Sequence, residues 1–333
     1  MLISKKKRLA GLEIDTGEIR AVQLSGTHQA PRLEAWGRES LPQEAVNEGI
    51  IQQPQQVAHA LMKLWSEEGF KGENVVLGVS NKEVLVRFAN FQKVPEDKLG
   101  GLIKHQAQEH LPLPLESVIM DYTVIGEAGG QSGNMYEVIL VAAKREMLDV
   151  FISTLSAARL NIMDIDVSSL VLLKSVCDIQ REGAVFLVDI ANGQSNILIL
   201  ARNVPRLSRR VPFCLKDAAD MLELKVEEML SQNTLAEFPT EKYQGWQNSF
   251  ISEIRSSISY YQAQPGALEV EEILLSGKGA RAPGLAAYTE ESSGIPVKTI
   301  KPFKGVDNYN SIGSGQELDY SVAMSLALRG LEG

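Results

Sequence analysis

Apolar residues recur along this chain in two rhythms. Apolar runs closed by small polar turns predict strands at 9–14, 19–24, 32–38, 74–79, 84–91, 118–125 and 136–142. Apolar residues three and four apart predict helices between them. Val57, Leu61, Leu64 and Trp65 make one stripe at 54–68, and Leu148, Phe151, Leu155 and Ala158 another at 146–159. A helix opens at Pro95-Glu96-Asp97, where the proline suits a first turn and the acids suit the positive helix end. Leu99, Leu102 and Ile103 give it an apolar face, and Leu111-Pro112-Leu113-Pro114 ends it. A glycine-rich hairpin loop is expected at 127–134. A helix at 168–179 leads to strands at 185–190, 196–200 and 206–211. Helices are expected at 216–230, at 248–262 (with Phe250, Ile254, Ile258 and Tyr261 on one side) and at 319–329, with a buried strand at 273–275.

Two stretches of this pattern echo each other. Gly11-Leu12-Glu13-Ile14-Asp15-Thr16-Gly17 returns as Leu187-Val188-Asp189-Ile190-Ala191-Asn192-Gly193. One offset, 176 positions, carries Glu13 onto Asp189 and Gly17 onto Gly193. In both, an acid ends an apolar run and a glycine follows four residues later. Each reads as a β-hairpin whose polar turn offers backbone N–H groups to an anion, with a carboxylate nearby for a metal. Two such hairpins suggest a duplicated fold gripping one phosphate chain from both sides. The second copy begins near Ala184, which divides the chain into 1–183 and 184–318. Residues 84–164 read as a β-α-β-β-α insert in the first half.

Composition narrows the classes. The chain has 333 residues, 44% apolar and 23% charged, as in a globular protein with room for two cores. A net charge of −9 argues against a nucleic-acid binder. Cys177 and Cys214 fit no metal-ligand spacing and read as buried small hydrophobes in a reducing compartment. No apolar run approaches the roughly 18 residues of a membrane span, and no signal-peptide core opens the chain. These features predict a cytoplasmic protein. Lys5-Lys6-Lys7-Arg8 reads as a solvated terminus or as a weak supplementary contact to anionic lipid.

The paired hairpins and the later Ser276-Gly277-Lys278-Gly279-Ala280 turn resemble the actin-like nucleotide-binding superfamily, which includes actin, sugar kinases and FtsA. Within it, Gln108-Glu109-His110-Leu111-Pro112-Leu113-Pro114 through Asp121-Tyr122 resembles the insert of the type IV pilus assembly protein PilM family. So do Val141-Ala142-Ala143-Lys144-Arg145 and Asn161 through Asp166. Ile273 through Leu285 is similar to that family's adenosine motif, and Val322 through Gly330 to its closing helix. The resemblance implies an α/β, two-domain actin-like (ribonuclease-H-like, duplicated) fold, with the insert as a small subdomain and 319–333 packing back on the first domain. It implies ATP and magnesium in the cleft, with nucleotide as a structural or switching ligand and hydrolysis weak or absent. It implies a place on the inner face of the cytoplasmic membrane, reached indirectly. The partner would be the N-terminal peptide of a PilN-like single-span protein, held in a groove beside the insert, with the pilus motor ATPase as a further partner. Strand 84–91 and the helix 99–110 are the candidates for that groove.

By the same resemblance Asp15, Thr16 and Gly17 form the first phosphate turn, and Asp189, Gly193, Gln194 and Ser195 the second. Gly277, Lys278, Gly279 and Ala280 would meet adenine or ribose, and Glu253 would line the nucleotide from the other side. Glu13 and Asp189 would serve the metal, Asp189 through water. The motif departs from the family at named places. Glu13 stands where Asp is usual, moving its oxygens about 1 Å, a displacement that can cost roughly 10²-fold in rate. Asp15 stands where Gly is usual and sets a negative charge where phosphate oxygens belong. Ala191, Asn192 and Lys278 also depart. A nucleotide-free scaffold is therefore a variant of the reading. A small-molecule kinase and an FtsA-like division protein are the alternatives: the first is weakened by Glu13 and Asp15, the second by the lack of an amphipathic tail after Arg329.

Overall fold

A computed structural model describes residues 8–128, 134–176, 181–231, 240–309, 312–313 and 315–332. Lys5–Lys7 of the basic run, Cys177, the end of the helix expected at 168–179, and most of the glycine-rich loop lie outside the described residues.

The first sheet holds β1 (Leu9–Asp15), β2 (Glu18–Thr27), β3 (Ala30–Ser40), β6 (Asn74–Val79) and β10 (Asn161–Val167), in the order β10-β6-β1-β2-β3. Two short strands, β4 (Val46–Asn47) and β5 (Ile50–Ile51), precede helix α1 (Pro54–Glu67). Every residue of β1 is buried, because the strand is central and both its faces are covered. Ala10, Leu12 and Ile14 point into a core with Val57, Leu61 and Leu64 of α1 and with Met147, Phe151 and Leu155 of α3 (Arg145–Ala157). The opposite face carries α10 (Ser321–Leu331), which lies against β1, β2 and β6. A Cβ at Gly11 would fall 2.0 Å from the Ala323 carbonyl oxygen and 2.4 Å from the Ala327 nitrogen. The helix rests on bare backbone there.

The small sheet joins β7 (Val84–Gln92), β8 (Val118–Glu127) and β9 (Met135–Lys144) in the order β7-β9-β8, all antiparallel. Helix α2 (Glu96–Gln106) covers one face, with Leu99 and Ile103 buried against Phe91, Val138 and Leu140. One expectation changes here. The helix expected at 146–159 was placed within an insert ending at 164, but α3 packs into the main core, and a strand not expected from the sequence, β10, joins the main sheet beside β6. Apolar residues of strand 84–91 and of the helix at 99–110 supply part of the small subdomain's core, while Val84 to Arg87 also line a cavity of about 250 Å³ and Gly100 and Lys104 one of about 380 Å³.

The second half repeats the first. Helices α4 (Ser168–Val171) and α5 (Leu173–Val176) lead into β11 (Ala184–Ile190), β12 (Ser195–Ala201) and β13 (Val204–Val211). With β14 (Val270–Ser276) and β15 (Val297–Thr299) they form a sheet in the order β13-β12-β11-β14-β15, the order of the first sheet reversed in listing and equal in connection. The helix expected at 216–230 is two, α6 (Leu215–Leu222) and α7 (Val226–Ser231), because Glu223 takes a left-handed conformation at φ 59°. Helix α8 (Thr240–Gln262) starts a full two turns before the expected 248, burying Tyr243 and Trp246 with Phe213. Helix α9 (Leu285–Ser293) follows the glycine turn.

Candidate functional site

The two echoing hairpins face each other across the halves. In the first, β1 and β2 pair so that Asp15 meets Glu18, Ile14 meets Ile19 and Glu13 meets Arg20. Thr16-Gly17 is the turn, and Gly17 has φ 81°, a left-handed value that glycine adopts without strain. Close approach is not what requires this glycine, since a Cβ there would meet nothing within 4 Å. In the second, β11 and β12 pair from Ile190 with Ser195 back to Ala184 with Ala201. Here close approach is decisive: a Cβ at Gly193 would lie 2.0 Å from Thr16 Oγ1. The tips of the hairpins touch.

One carboxylate organises that contact. The backbone N–H of Asn192 donates to Asp15 Oδ2 at 2.9 Å, and that of Gly193 donates to Oδ1 at 3.3 Å. The Thr16 N–H donates to Oδ1 at 2.7 Å. The Asn192 side-chain amide donates to the Thr16 carbonyl at 3.1 Å. Behind Asp15 lies Arg20, whose side chain is 2% exposed. Its guanidinium donates to Glu13 at 3.0 and 3.1 Å, to Asp15 at 2.9 Å and to Glu18 at 2.8 Å. Lys278 reaches in from the second half and donates to Glu18 at 3.0 and 3.1 Å and to Glu227 at 2.6 Å.

These charges shift one another. Burial pushes the Glu13 carboxyl up to about 8, against the pull of Arg20. Burial likewise pushes Asp189 up to about 6, opposed by a hydrogen bond from Ser276 Oγ at 2.8 Å. Burial also works against charge on Glu18, but Arg20 and Lys278 together hold it below the ordinary carboxylate value. Arg20 is held well above its ordinary value, its acid neighbours outweighing burial.

The other expected residues take various places. Lys278, expected at a phosphate or in solvent, is buried in ion pairs. Gly277 and Gly279 pack under the end of β11: a Cβ on either would strike Asp189, Ile190 or both. Ala280 belongs to the second core. Ser195 Oγ donates to the Phe213 carbonyl at 2.5 Å, a structural role. The Gln194 side chain bridges the halves by donating to the Ser80 carbonyl and, at 3.1 Å, to Ser80 Oγ. Glu253 pairs with Arg209 at 3.1 Å and does not line the space between the turns. Cys214 is buried and unpaired in a disulfide sense, its thiol pushed up to about 12 by burial. Among the described residues no three His, Cys, Asp or Glu side chains converge as a metal site. The sequence reading missed Arg20 and Glu18, although a two-residue turn at Thr16-Gly17 sets Glu13 opposite Arg20 by counting alone.

A model of the type IV pilus assembly protein PilM family matches residues 11–331. The chain belongs to that family. Among solved structures, the PilM-PilN type IV pilus biogenesis complex is similar with a TM-score of 0.86 and 22% identity, over 98% of this chain and 100% of that one. The ethanolamine utilization protein EutJ from Carboxydothermus hydrogenoformans follows at 0.56 and 10%, over 97% and 89%. MreB5 of Spiroplasma citri, bound to AMPPNP, follows at 0.53 and 10%, over 96% and 94%. These likenesses establish the actin-like fold.

For a PilM-family chain the fit of ATP and magnesium is then a question about these side chains. The cavity between the turns, lined by Glu13, Asp15, Asp189, Gln194 and Asn196 among others, is only about 20 Å³. That is room for about one water. Both oxygens of Glu13 are taken by Arg20, and the N–H groups of Thr16, Asn192 and Gly193 are taken by Asp15. As arranged, the residues do not fit a phosphate chain with its metal.

Proposed function

We propose that this PilM-family chain is a peptide-capturing scaffold of a type IV pilus or related machine. It holds the N-terminal cytoplasmic peptide of a PilN-like inner-membrane protein, on the cytoplasmic face of that membrane, and offers its other surfaces to the motor. Family membership and the likeness to a PilM-PilN complex support the assignment. Among the described residues no helix is long and apolar enough to cross a membrane, so attachment through a partner suits the chain.

The observation that carries the reading is a cleft of about 620 Å³ beside the small sheet. It lies between β8, the edge of the small sheet, and β10, the edge of the first sheet. Ile125, Ile139, Val141, Ile165 and Leu170 give it an apolar floor, and Asp121, Asp164, Asp166 and Glu332 an acidic rim partly answered by Arg329 and Lys174. An extended peptide adds to a strand edge by main-chain hydrogen bonds, and flanking pockets select its side chains. In this reading the groove sits on the side of the small sheet away from the α2 core, in the larger cleft rather than in the cavity of about 250 Å³ beside strand 84–91. ATP and magnesium have no step in this reading.

The test is calorimetric titration of the full chain with the partner's synthetic N-terminal peptide. Ile125→Glu and Ile165→Glu are expected to weaken binding roughly tenfold or more each. Unchanged affinity in both variants, with melting curves intact, would sink the reading.

A further inference from the structure

The structure assigns to the Asp15 carboxylate the place that phosphate takes between the paired turns, so that the chain clasps its two halves with its own side chains instead of a bound nucleotide. The inference is independent of the peptide groove and concerns the cleft alone.

Three observations carry it. The first is the hydrogen-bond geometry. N–H groups from both turns, Thr16 in one and Asn192 and Gly193 in the other, converge on one carboxylate at 2.7, 2.9 and 3.3 Å. Successive backbone N–H groups aimed at one point make an anion seat. Here the anion is covalently part of β1. A tethered group held in register competes at an effective concentration that a free anion in the millimolar range does not match.

The second is space. The turns touch at Thr16 and Gly193, and the cavity left beside them is about 20 Å³.

The third is charge. Glu13, Asp15, Glu18 and Asp189 are all buried around the turns; Arg20 and Lys278 answer the first three, and Ser276 donates to Asp189. Arg20 is committed to three carboxylates and Lys278 to two. A polyphosphate would add further negative charge where every cation is already engaged.

The duplication sharpens the point. The same 176-residue offset carries Asp15 onto Ala191 and Arg20 onto Asn196. The acid and the arginine that holds it are present together in the first copy and absent together from the second. Asn196 instead accepts from Ser80 Oγ at 2.8 Å, a further bond between the halves. Lys278, in the turn expected at the adenosine, crosses to Glu18. A seat filled from one side, gripped by amides of the other and locked by a lysine is a closed latch.

The test uses the purified full chain, with hydrogen exchange resolved to single amides and thermal melting with and without magnesium-ATP at about 5 mM. The expected result is that the Asn192 and Gly193 amides are protected without nucleotide, and that ATP moves the midpoint by less than about 1 °C. In Asp15→Ala those two amides should exchange roughly tenfold faster or more. Should that variant fail to fold, Asp15→Asn, which keeps one acceptor oxygen, is read in its place. A midpoint rise of roughly 4 °C or more with ATP would overturn the inference. So would Asn192 and Gly193 amides in the unaltered chain that exchange as freely as exposed ones. Neither outcome bears on peptide binding, which is measured separately.

Discussion

Arg20 is the residue on which the interior of the first hairpin depends. Three carboxylates surround it, and Glu13 is already pushed up to about 8 by burial even with the guanidinium in contact. Removing one partner of a buried ion pair typically costs about 3–5 kcal/mol, because the charges left behind stay out of water. Arg20→Ala is therefore expected to lose that much in urea unfolding, and a loss under about 1 kcal/mol would mean that the network is slack. Asp189 gives a pH signature of its own. Its folded value is raised from 3.8 to about 6, so the native state holds that proton more tightly than the unfolded chain does. Its contribution is whole below about pH 4 and is lost as pH rises through about 6, on the order of 3 kcal/mol. Asp189→Asn should make the stability profile shallower in that window, where the decline that Glu13 imposes from about pH 4.5 to about 8 remains. Unfolding curves at matched ionic strength across the window check it; an unchanged slope counts against a buried neutral Asp189. The hairpin residues were legible as a pair of turns, since acid, turn and glycine recur in order. Their use was not, because one sequence position cannot show whether a carboxylate faces a ligand or closes on an arginine of the neighbouring strand.

At the scale of elements, packing corrected what periodicity proposed. The stripe of Leu148, Phe151 and Leu155 was visible in the sequence, but the stripe does not name the surface it covers, and α3 chose the main core over the small sheet. Helix α8 was read short because its first turns mix Lys242, Gln244 and Gly245 with the aromatic residues that are buried. The contact of α10 with β1 is the most exacting between elements. Gly11→Ala would place a methyl carbon 2.0 Å from the Ala323 carbonyl oxygen, a backbone atom that cannot swing aside. Overpacking of this kind costs roughly 1–3 kcal/mol or more. The variant should unfold at clearly lower denaturant than the unaltered chain, whereas Gly69→Ala, open to solvent but left-handed at φ 71°, tests backbone conformation alone. Equal midpoints for Gly11→Ala and the unaltered chain would show that α10 can shift without cost.

The whole molecule is two copies of one sheet order with a small third sheet set between strands of the first copy. Val84 pairs with Ala143, and the Lys144 N–H donates to the Glu83 carbonyl at 3.1 Å, so the small subdomain leaves and rejoins the main body at one point. Its core clusters are its own. Replacing residues 84–143 by a short flexible turn should therefore leave a cooperative melting transition, since few buried groups lose partners. Peptide capture should vanish, because β8 and β9 supply one wall of the cleft. Loss of cooperative melting would show that the main sheet depends on the insert, and retained capture would place the peptide elsewhere.

The sequence by itself determined the duplicated hairpins and most of the strands, because these rest on local alternation and on turns that act over a few residues; the actin-like plan and the family were legible through the resemblance of motifs that recur in order along the chain. It also carried the chemical oddity of Glu13 and Asp15. Only the tertiary structure decided what that oddity does. Asp15 and Asn192 are distant along the chain, and whether an amide there meets a carboxylate or a phosphate depends on how close two separately folded halves approach. The same holds for Lys278, whose charge is buried only because Glu18 and Glu227 arrive from different elements to meet it.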